Sequence, residues 1–207
     1  MELTAGKTME ISAGKLAHLA NGSCVVRMGD TCVLAAVCSG PARKGADFFP
    51  LQVDYREKFS AAGRFPGGFI KREGRPTDKE ILTMRMTDRP IRPLFPEGFF
   101  DEVQVYGLVL SYDGEHDADT LFMLGASAAL CLSDLPYQGP VGAVRVGYID
   151  GQFIANPTVE EMKKSEIELV YSGKEDQVIM IEGEAKECSE KLLADAMYFA
   201  NDIIKRQ

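Results

Sequence analysis

The sequence has no Cys-x-x-Cys pair, no low-complexity segment and no composition break that would mark a linker. Its five cysteines (Cys24, Cys32, Cys38, Cys131 and Cys188) are odd in number. Both facts argue against a disulfide framework and against a zinc site. The thiols are expected to be small buried hydrophobes in a reducing compartment. The longest apolar runs, such as Val103–Leu110, fall far short of the roughly 20 residues a membrane span needs. Residues 1–11 lack the apolar core of a signal peptide. The expectation is a cytoplasmic protein with no membrane partner. Only two histidines are present. His18, between Leu16 and Leu19, reads as structural. His116 has no Cys/His partner and reads as part of a solvated acidic loop.

What is present is the composition of a globular chain: 45% hydrophobic and 26% charged residues over 207 positions. That length suits one domain with its own core. Ser23–Met28 and Thr31–Cys38 are β-rich and meet at Gly29-Asp30, which suits a type II′ hairpin turn. Phe49–Arg56 reads as a third strand and Val103–Tyr112 as a buried one. Val141–Ile149 and Gln152–Ala155 flank Asp150-Gly151, a type I′ signal. Ile167–Tyr171 and Val178–Ile181 are two further strands.

Thr77 with Glu80 forms a capping box, and so does Thr158 with Glu161. The helix after Thr77 is expected to turn Ile81, Leu82 and Met84 inward, with Met86 as a further candidate. Pro90 and Pro93 are expected to kink or end it. Ala118–Leu132 is an apolar helix rich in small residues, able to approach a sheet closely. About Ala185–Lys205 forms a long amphipathic helix. The methionines Met84, Met86, Met123, Met162, Met180 and Met197 read as core filler. The order predicts an α+β fold, a mixed β-sheet with covering helices, over residues 1–207 as one domain.

The net charge of −8 argues at first against a nucleic-acid binder. The average conceals a division. Between Arg56 and Arg92 stand ten basic residues (Arg56, Lys58, Arg64, Lys71, Arg72, Arg75, Lys79, Arg85, Arg89, Arg92) against five acids, a net +5, while the other 170 residues carry −13. Residues 57–76 hold many glycines and prolines, and a loop of that length inside a compact domain is often functional. Arginine presents a planar fork that matches phosphate. Phe65 and Phe69 stand among these charges and could stack on unpaired bases. Arg85, Arg89 and Arg92 fall on one helix face. The competing reading is a solvated loop whose arginines pair with nearby carboxylates.

The string Asp47–Lys58, the string Ala61–Pro76 and Asp88-Arg89-Pro90-Ile91-Arg92-Pro93-Leu94-Phe95-Pro96 resemble the first ribonuclease-PH-type domain of the polynucleotide phosphorylases (polyribonucleotide nucleotidyltransferases). Gly125–Leu130, Gly139–Gly147 and Asn156-Pro157-Thr158 continue the match across nearly the whole chain. The resemblance implies a ribonuclease-PH-type fold built of βαβ halves. It also implies part of a phosphate-dependent 3′-to-5′ exoribonuclease that releases nucleoside diphosphates. Such enzymes are homotrimers. A second ribonuclease-PH-type domain follows on the same chain after a helical domain, and KH and OB-fold domains follow that. In the full enzyme inorganic phosphate is co-substrate and a divalent metal, Mg2+, is expected.

The family's RNA-gripping loop, usually Phe-Phe-Arg-Arg, maps to Phe69, Ile70, Lys71 and Arg72. Ile cannot stack, and Lys keeps charge without the fork. Arg75, Arg89 and Arg92 match basic positions that line the RNA path. Single-stranded RNA is therefore the expected ligand. In active members a phosphate-binding turn precedes the small-residue helix; here that stretch is Asp113-Gly114-Glu115-His116-Asp117-Ala118-Asp119-Thr120. Active members also carry an aspartate pair, which maps to Asn156 and Met162. The resemblance thus implies no catalytic and no metal residue in this chain, which reads as the RNA-binding, non-catalytic half. The alternative is a structural ring subunit of an exosome-like assembly.

Overall fold

The computed structural model describes residues 7–207. Residues 1–6, part of the N-terminal stretch read above as lacking a leader, lie outside the described residues. The strands form two sheets. The first has five strands in the order β1-β2-β3-β5-β4: β1 Met9–Ala13, β2 Gly22–Met28, β3 Thr31–Gly40, β4 Leu51–Arg56 and β5 Glu102–Ser111. The second has four in the order β7-β6-β8-β9: β6 Gly142–Ile149, β7 Gln152–Ala155, β8 Ile167–Lys174 and β9 Gln177–Ala185. Four helices accompany them: α1 Asp78–Ile91, α2 Asp119–Cys131, α3 Val159–Met162 and α4 Glu190–Ile204. The α+β class with a mixed sheet is as expected: β4 runs parallel to β5 through the crossover helix α1, a βαβ unit, and the other pairings are antiparallel.

Both hairpin turns are where the sequence puts them. Gly29 has φ of 57°, and Asp150 and Gly151 both have positive φ, as a type I′ turn requires. The sheets meet across α2, which packs on β2 and β3 on one side and on β6 on the other. Its small residues make that approach possible. A Cβ on Gly125 would stand 3.1 Å from both Ala35 and Val26. On the facing strand, a Cβ on Gly22 would stand 2.1 Å from the carbonyl oxygen of Ala129. Tyr55 of β4 stacks on Phe122 of α2 at 4.9 Å, with both side chains fully buried. Helix α4 covers β6 and β8 of the second sheet.

Several expectations need correction. Strand β1 adds to the expected strands: Met9, Ile11 and Ala13 alternate with Glu10 and Ser12, but only Met9 is buried in the core while Ile11 and Ala13 are exposed, and the strand ladders to β2 along its length. Helix α1 buries Glu80, Thr83, Met86, Thr87, Pro90 and Ile91, while Ile81 and Leu82 are exposed. The buried stripe looks polar in sequence. Thr83 and Thr87 resolve this by donating their hydroxyls to the carbonyls of Lys79 and Thr83 in the preceding turn, at 2.9 and 2.8 Å, which leaves their methyls to pack. Pro90 lies inside α1 near its end and Pro93 in a following 3-10 turn. Strands β8 and β9 outrun the apolar segments that signal them, so Ala185 ends a strand and α4 begins only after its Ser189 cap. Cys38 and Cys131 are exposed, not buried. His18 lies on an exposed turn with Leu16 and Leu19.

One buried carboxylate organises the region that follows. Glu80, 5% exposed, accepts the backbone N–H of Thr77 at 2.6 Å and that of Glu57 at 2.8 Å. The first bond completes the capping box of α1. The second ties the end of β4 to the same carboxylate, so Glu80 holds both ends of the 57–76 loop. Glu80→Ala leaves both N–H groups without that partner and removes two charge-assisted bonds. It is expected to destabilise the fold by roughly 1–3 kcal/mol for each bond removed, read by urea denaturation. Gly22→Ala is expected to cost roughly 1–3 kcal/mol by overpacking against α2. Gly40→Ala, whose Cβ meets nothing within 4 Å, is the control and should be near neutral in the same assay.

Candidate nucleic-acid interface

The loop anchored by Glu80 starts with a 3-10 turn at Phe59–Ala62, ended by Gly63 at φ 65°. Its root is pinned further: the N–H of Tyr112 donates to the carbonyl of Ala61 at 2.9 Å, and Glu73 accepts the N–H of Phe59 at 3.2 Å. Beyond this root the loop is exposed. Phe65 and Phe69 are 93% and 102% exposed, and Ile70 is 76% exposed. Gly68 and Lys71 have positive φ, 75° and 50°, which turns the chain at the tip.

The ten basic residues divide sharply. Arg56 pairs with Asp54, Lys79 with Glu57 and Asp117, Arg89 with Glu182, and Arg92 with Asp88. Lys58, Arg64, Lys71, Arg72, Arg75 and Arg85 make no ion pair among the described residues. Five of these six lie on the loop. Of the residues singled out above, Phe69, Ile70, Lys71, Arg72 and Arg75 therefore form one exposed, cationic and apolar tip. Arg89 on α1 and Arg92 at its C-terminal cap are exposed but already hold partners. The guanidinium of Arg92 donates to both oxygens of Asp88 and to the carbonyls of Phe49 and Leu51, and it lies 5.8 Å from the Phe49 ring centre. It fixes the end of α1 to the start of β4.

The opposite arrangement holds where α2 begins. A cavity of about 600 Å³ there is lined by Lys79, Asp117, Asp119, Arg145, Glu168, Glu182 and Glu184, among others. Lys79 sits between Asp117 at 3.1 Å and Glu57 at 3.2 Å. Burial disfavours its charge, but the two carboxylates outweigh burial and raise its pKa. Arg145, with its side chain 10% exposed, donates to Asp119 and to Glu168. Asp113 closes the preceding turn. It accepts the Thr31 hydroxyl at 3.0 Å, the N–H groups of Glu115 and His116 at 2.8 and 2.9 Å, and lies 2.7 Å from Nδ1 of His116. Burial pushes its carboxyl upward; these hydrogen bonds prevail and hold it well below the usual carboxylate range. Each cation lining this cavity is thus matched by two carboxylates, which repel a phosphate.

The positions aligned with the family's aspartate pair offer no hard oxygen set for Mg2+. Asn156 is buried, with φ 44°, and its Oδ1 accepts the N–H of Arg145 at 2.9 Å. Met162 ends α3 and presents a thioether. Glu161 next to it is engaged by Lys7 at 2.8 Å, by the N–H of Thr158 and in the α3 capping box. Sequence reasoning missed three parts of this region: the second bond of Glu80, the Lys79 ion-pair network and the Arg145 ion pairs. The capping box was the only local trace of the first. The others join residues too distant in the chain to leave one.

Comparison with known proteins agrees with this geometry. Residues 5–136 match the model of the 3′ exoribonuclease family, domain 1, and residues 139–203 match that family's domain 2. The break between the matches falls between α2 and β6, where the chain passes from one sheet to the other. The polyribonucleotide nucleotidyltransferase of Koribacter versatilis is 54% identical over 207 residues, covering 100% of this chain and 25% of that protein. That of Akkermansia muciniphila is 56% identical over 196 residues, covering 94% and 28%. The chain thus spans about a quarter of the length of the curated relatives it matches. Among solved structures, an archaeal exosome core superimposes with a TM-score of 0.73 at 20% identity, covering 97% of this chain and 84% of that one. An Archaeoglobus fulgidus exosome with RNA bound to its active site gives 0.75 at 20% identity, covering 99% and 91%. With its βαβ crossover, its two sheets about α2 and matches along almost its whole length, the chain belongs to the 3′ exoribonuclease family and corresponds to the first ribonuclease-PH domain of its polyribonucleotide nucleotidyltransferase members.

Proposed function

We propose that this chain is the RNA-guiding, non-catalytic first domain of a longer phosphate-dependent 3′-to-5′ exoribonuclease of the cytoplasm. The enzyme would act as a homotrimer and release nucleoside diphosphates. The observation that carries the reading is the contrast in charge pairing. The loop tip bears Lys71, Arg72 and Arg75 without carboxylate partners, beside the exposed Phe69 and Ile70. The cavity at the start of α2 holds cations already saturated by acids.

Unpaired arginines and lysines bind phosphates by releasing counterions. An exposed ring offers a sequence-tolerant platform to one unpaired base. Ile70 leaves Phe69 as the one ring of the four-residue motif, with Phe65 exposed elsewhere on the loop, so the grip of the motif rests more on charge than on stacking. Arg89 and Arg92 serve by position, holding α1 to β9 and β4 behind the loop. Inorganic phosphate and Mg2+ would be held by the second ribonuclease-PH-type domain of the longer chain, because neither the α2 cavity nor the Asn156–Met162 region has the groups to hold them.

Two experiments test this. Replacing Lys71, Arg72 and Arg75 by Ala in the longer enzyme should weaken single-stranded RNA binding. It should also lower the slope of log affinity against log salt by about 2, at roughly 0.7 for each phosphate no longer neutralised. Unchanged RNA affinity together with loss of the oligomer would instead favour a structural ring role. The 207-residue chain, given RNA, Mg2+ and inorganic phosphate, should release no nucleoside diphosphate, while the longer enzyme does. Release by the short chain would overturn the non-catalytic assignment.

A further inference from the structure

Behind the loop tip lies a second, smaller cavity that neither the RNA grip nor the α2 site uses. It encloses about 290 Å³ and is walled by Phe59, Val109, Tyr112 and Ala118, with Lys58 and Arg64 at its exposed border. That volume is at the small end of the range for ligand sites, which begins near ~300 Å³. The walls combine two aromatic rings with aliphatic groups, the composition of a pocket that takes a flat ring. The floor is preformed: the N–H of Tyr112 donates to Ala61 across the cavity root, and that of Arg64 donates to the carbonyl of Phe59 at 3.0 Å.

Three polar features point to the kind of ligand. The hydroxyl of Tyr112 makes no hydrogen bond among the described residues. Lys58 and Arg64 have no carboxylate partner there. The one carboxylate on the wall, Glu57, is already engaged by the Tyr55 hydroxyl at 2.7 Å and by Lys79 at 3.2 Å. Glu73 reaches the wall only through the N–H of Phe59 at 3.2 Å, so the border carries two cations free of ion pairs, Lys58 and Arg64, beside an aromatic interior.

We propose that this cavity is a nucleotide site, taking the base against Phe59 and Tyr112 and the phosphates on Lys58 and Arg64. The same chemistry could be met by a free nucleotide or by one unit of an RNA strand held at the loop tip. Both ends of the loop line the site, through Glu57 and Thr77, so an occupant braces the root from which the RNA-gripping tip projects. The site is separate from Lys71, Arg72 and Arg75, and it can be tested separately from the RNA grip.

The test is calorimetric titration of the 207-residue chain with ADP, alone and in the presence of a short oligoadenylate. Saturable ADP binding is expected. Tyr112→Ala and Arg64→Ala should each weaken it on the order of tenfold, the effect expected for one base stack or one charged phosphate contact. Tyr112→Phe, which keeps the ring and removes only the hydroxyl, should weaken it less than Tyr112→Ala does. Arg64 is exposed, so its variant tests the site even where Tyr112→Ala fails to fold, as circular dichroism would show. Competition between ADP and the oligonucleotide would identify the occupant as a unit of the strand; additive binding would identify a free nucleotide. The Lys71→Ala/Arg72→Ala/Arg75→Ala variant should keep ADP while losing RNA. The proposal is overturned if the folded chain does not bind ADP saturably, if Arg64→Ala and a folded Tyr112→Ala bind it as well as the parent, or if the triple variant loses ADP.

Discussion

The carboxylate of Glu80 is the interaction on which the functional region depends. A buried acid is costly unless its oxygens are fully used, and here each oxygen accepts a backbone N–H, one from Thr77 and one from Glu57. The side chain starts α1, ends β4 and fixes the span of the loop between them. Without that clamp, twenty residues rich in glycine and charge would have only weak attachments at their root. With it, the exposed tip is a projection from a rigid base, and its charges stand clear of the acidic surface elsewhere.

The charge distribution then acquires a structural meaning. Coulomb attraction between surface charges is modest at high dielectric, so an acidic protein can keep an unneutralised basic loop if geometry holds acids away from it. The glycine turns and positive φ values at Gly63, Gly68 and Lys71 do this by lifting the tip off the body. At the start of α2 the geometry does the reverse. Asp117, Asp119 and Glu168 close on Lys79 and Arg145, and a region that could have held phosphate is filled by internal ion pairs. A buried pair of this kind is a weak source of stability, because desolvation offsets attraction. Its consequence here is the loss of free positive charge.

Helix α1 shows why an amphipathic pattern misleads. Its apolar Ile81 and Leu82 face outward, and its buried stripe includes two threonines and a glutamate. The threonines are buried because each satisfies its hydroxyl on its own helix. The glutamate is buried because two N–H groups from different parts of the chain converge on it. Neither condition can be read from hydropathy. The cysteines make the same point from the other side: Cys24 is buried under α2, whereas Cys38 and Cys131, chemically identical, end on the surface.

The capping boxes at Thr77 and Thr158, the turns at Gly29-Asp30 and Asp150-Gly151, and the small-residue helix α2 were all legible in the sequence, because each rests on contacts within a few residues. The strings from Asp47 to Pro96 were specific enough to point to the family, and the +5 segment pointed to the loop. Only the tertiary structure decided which of those charges are free. Arg89 finds Glu182 and Lys79 finds Asp117 across separations of 93 and 38 residues. Arg145 finds Asp119 and Glu168 only because β6 and β8 pair beside the start of α2. Electrostatic pairing depends on distance through space, and the fold alone brings those groups together.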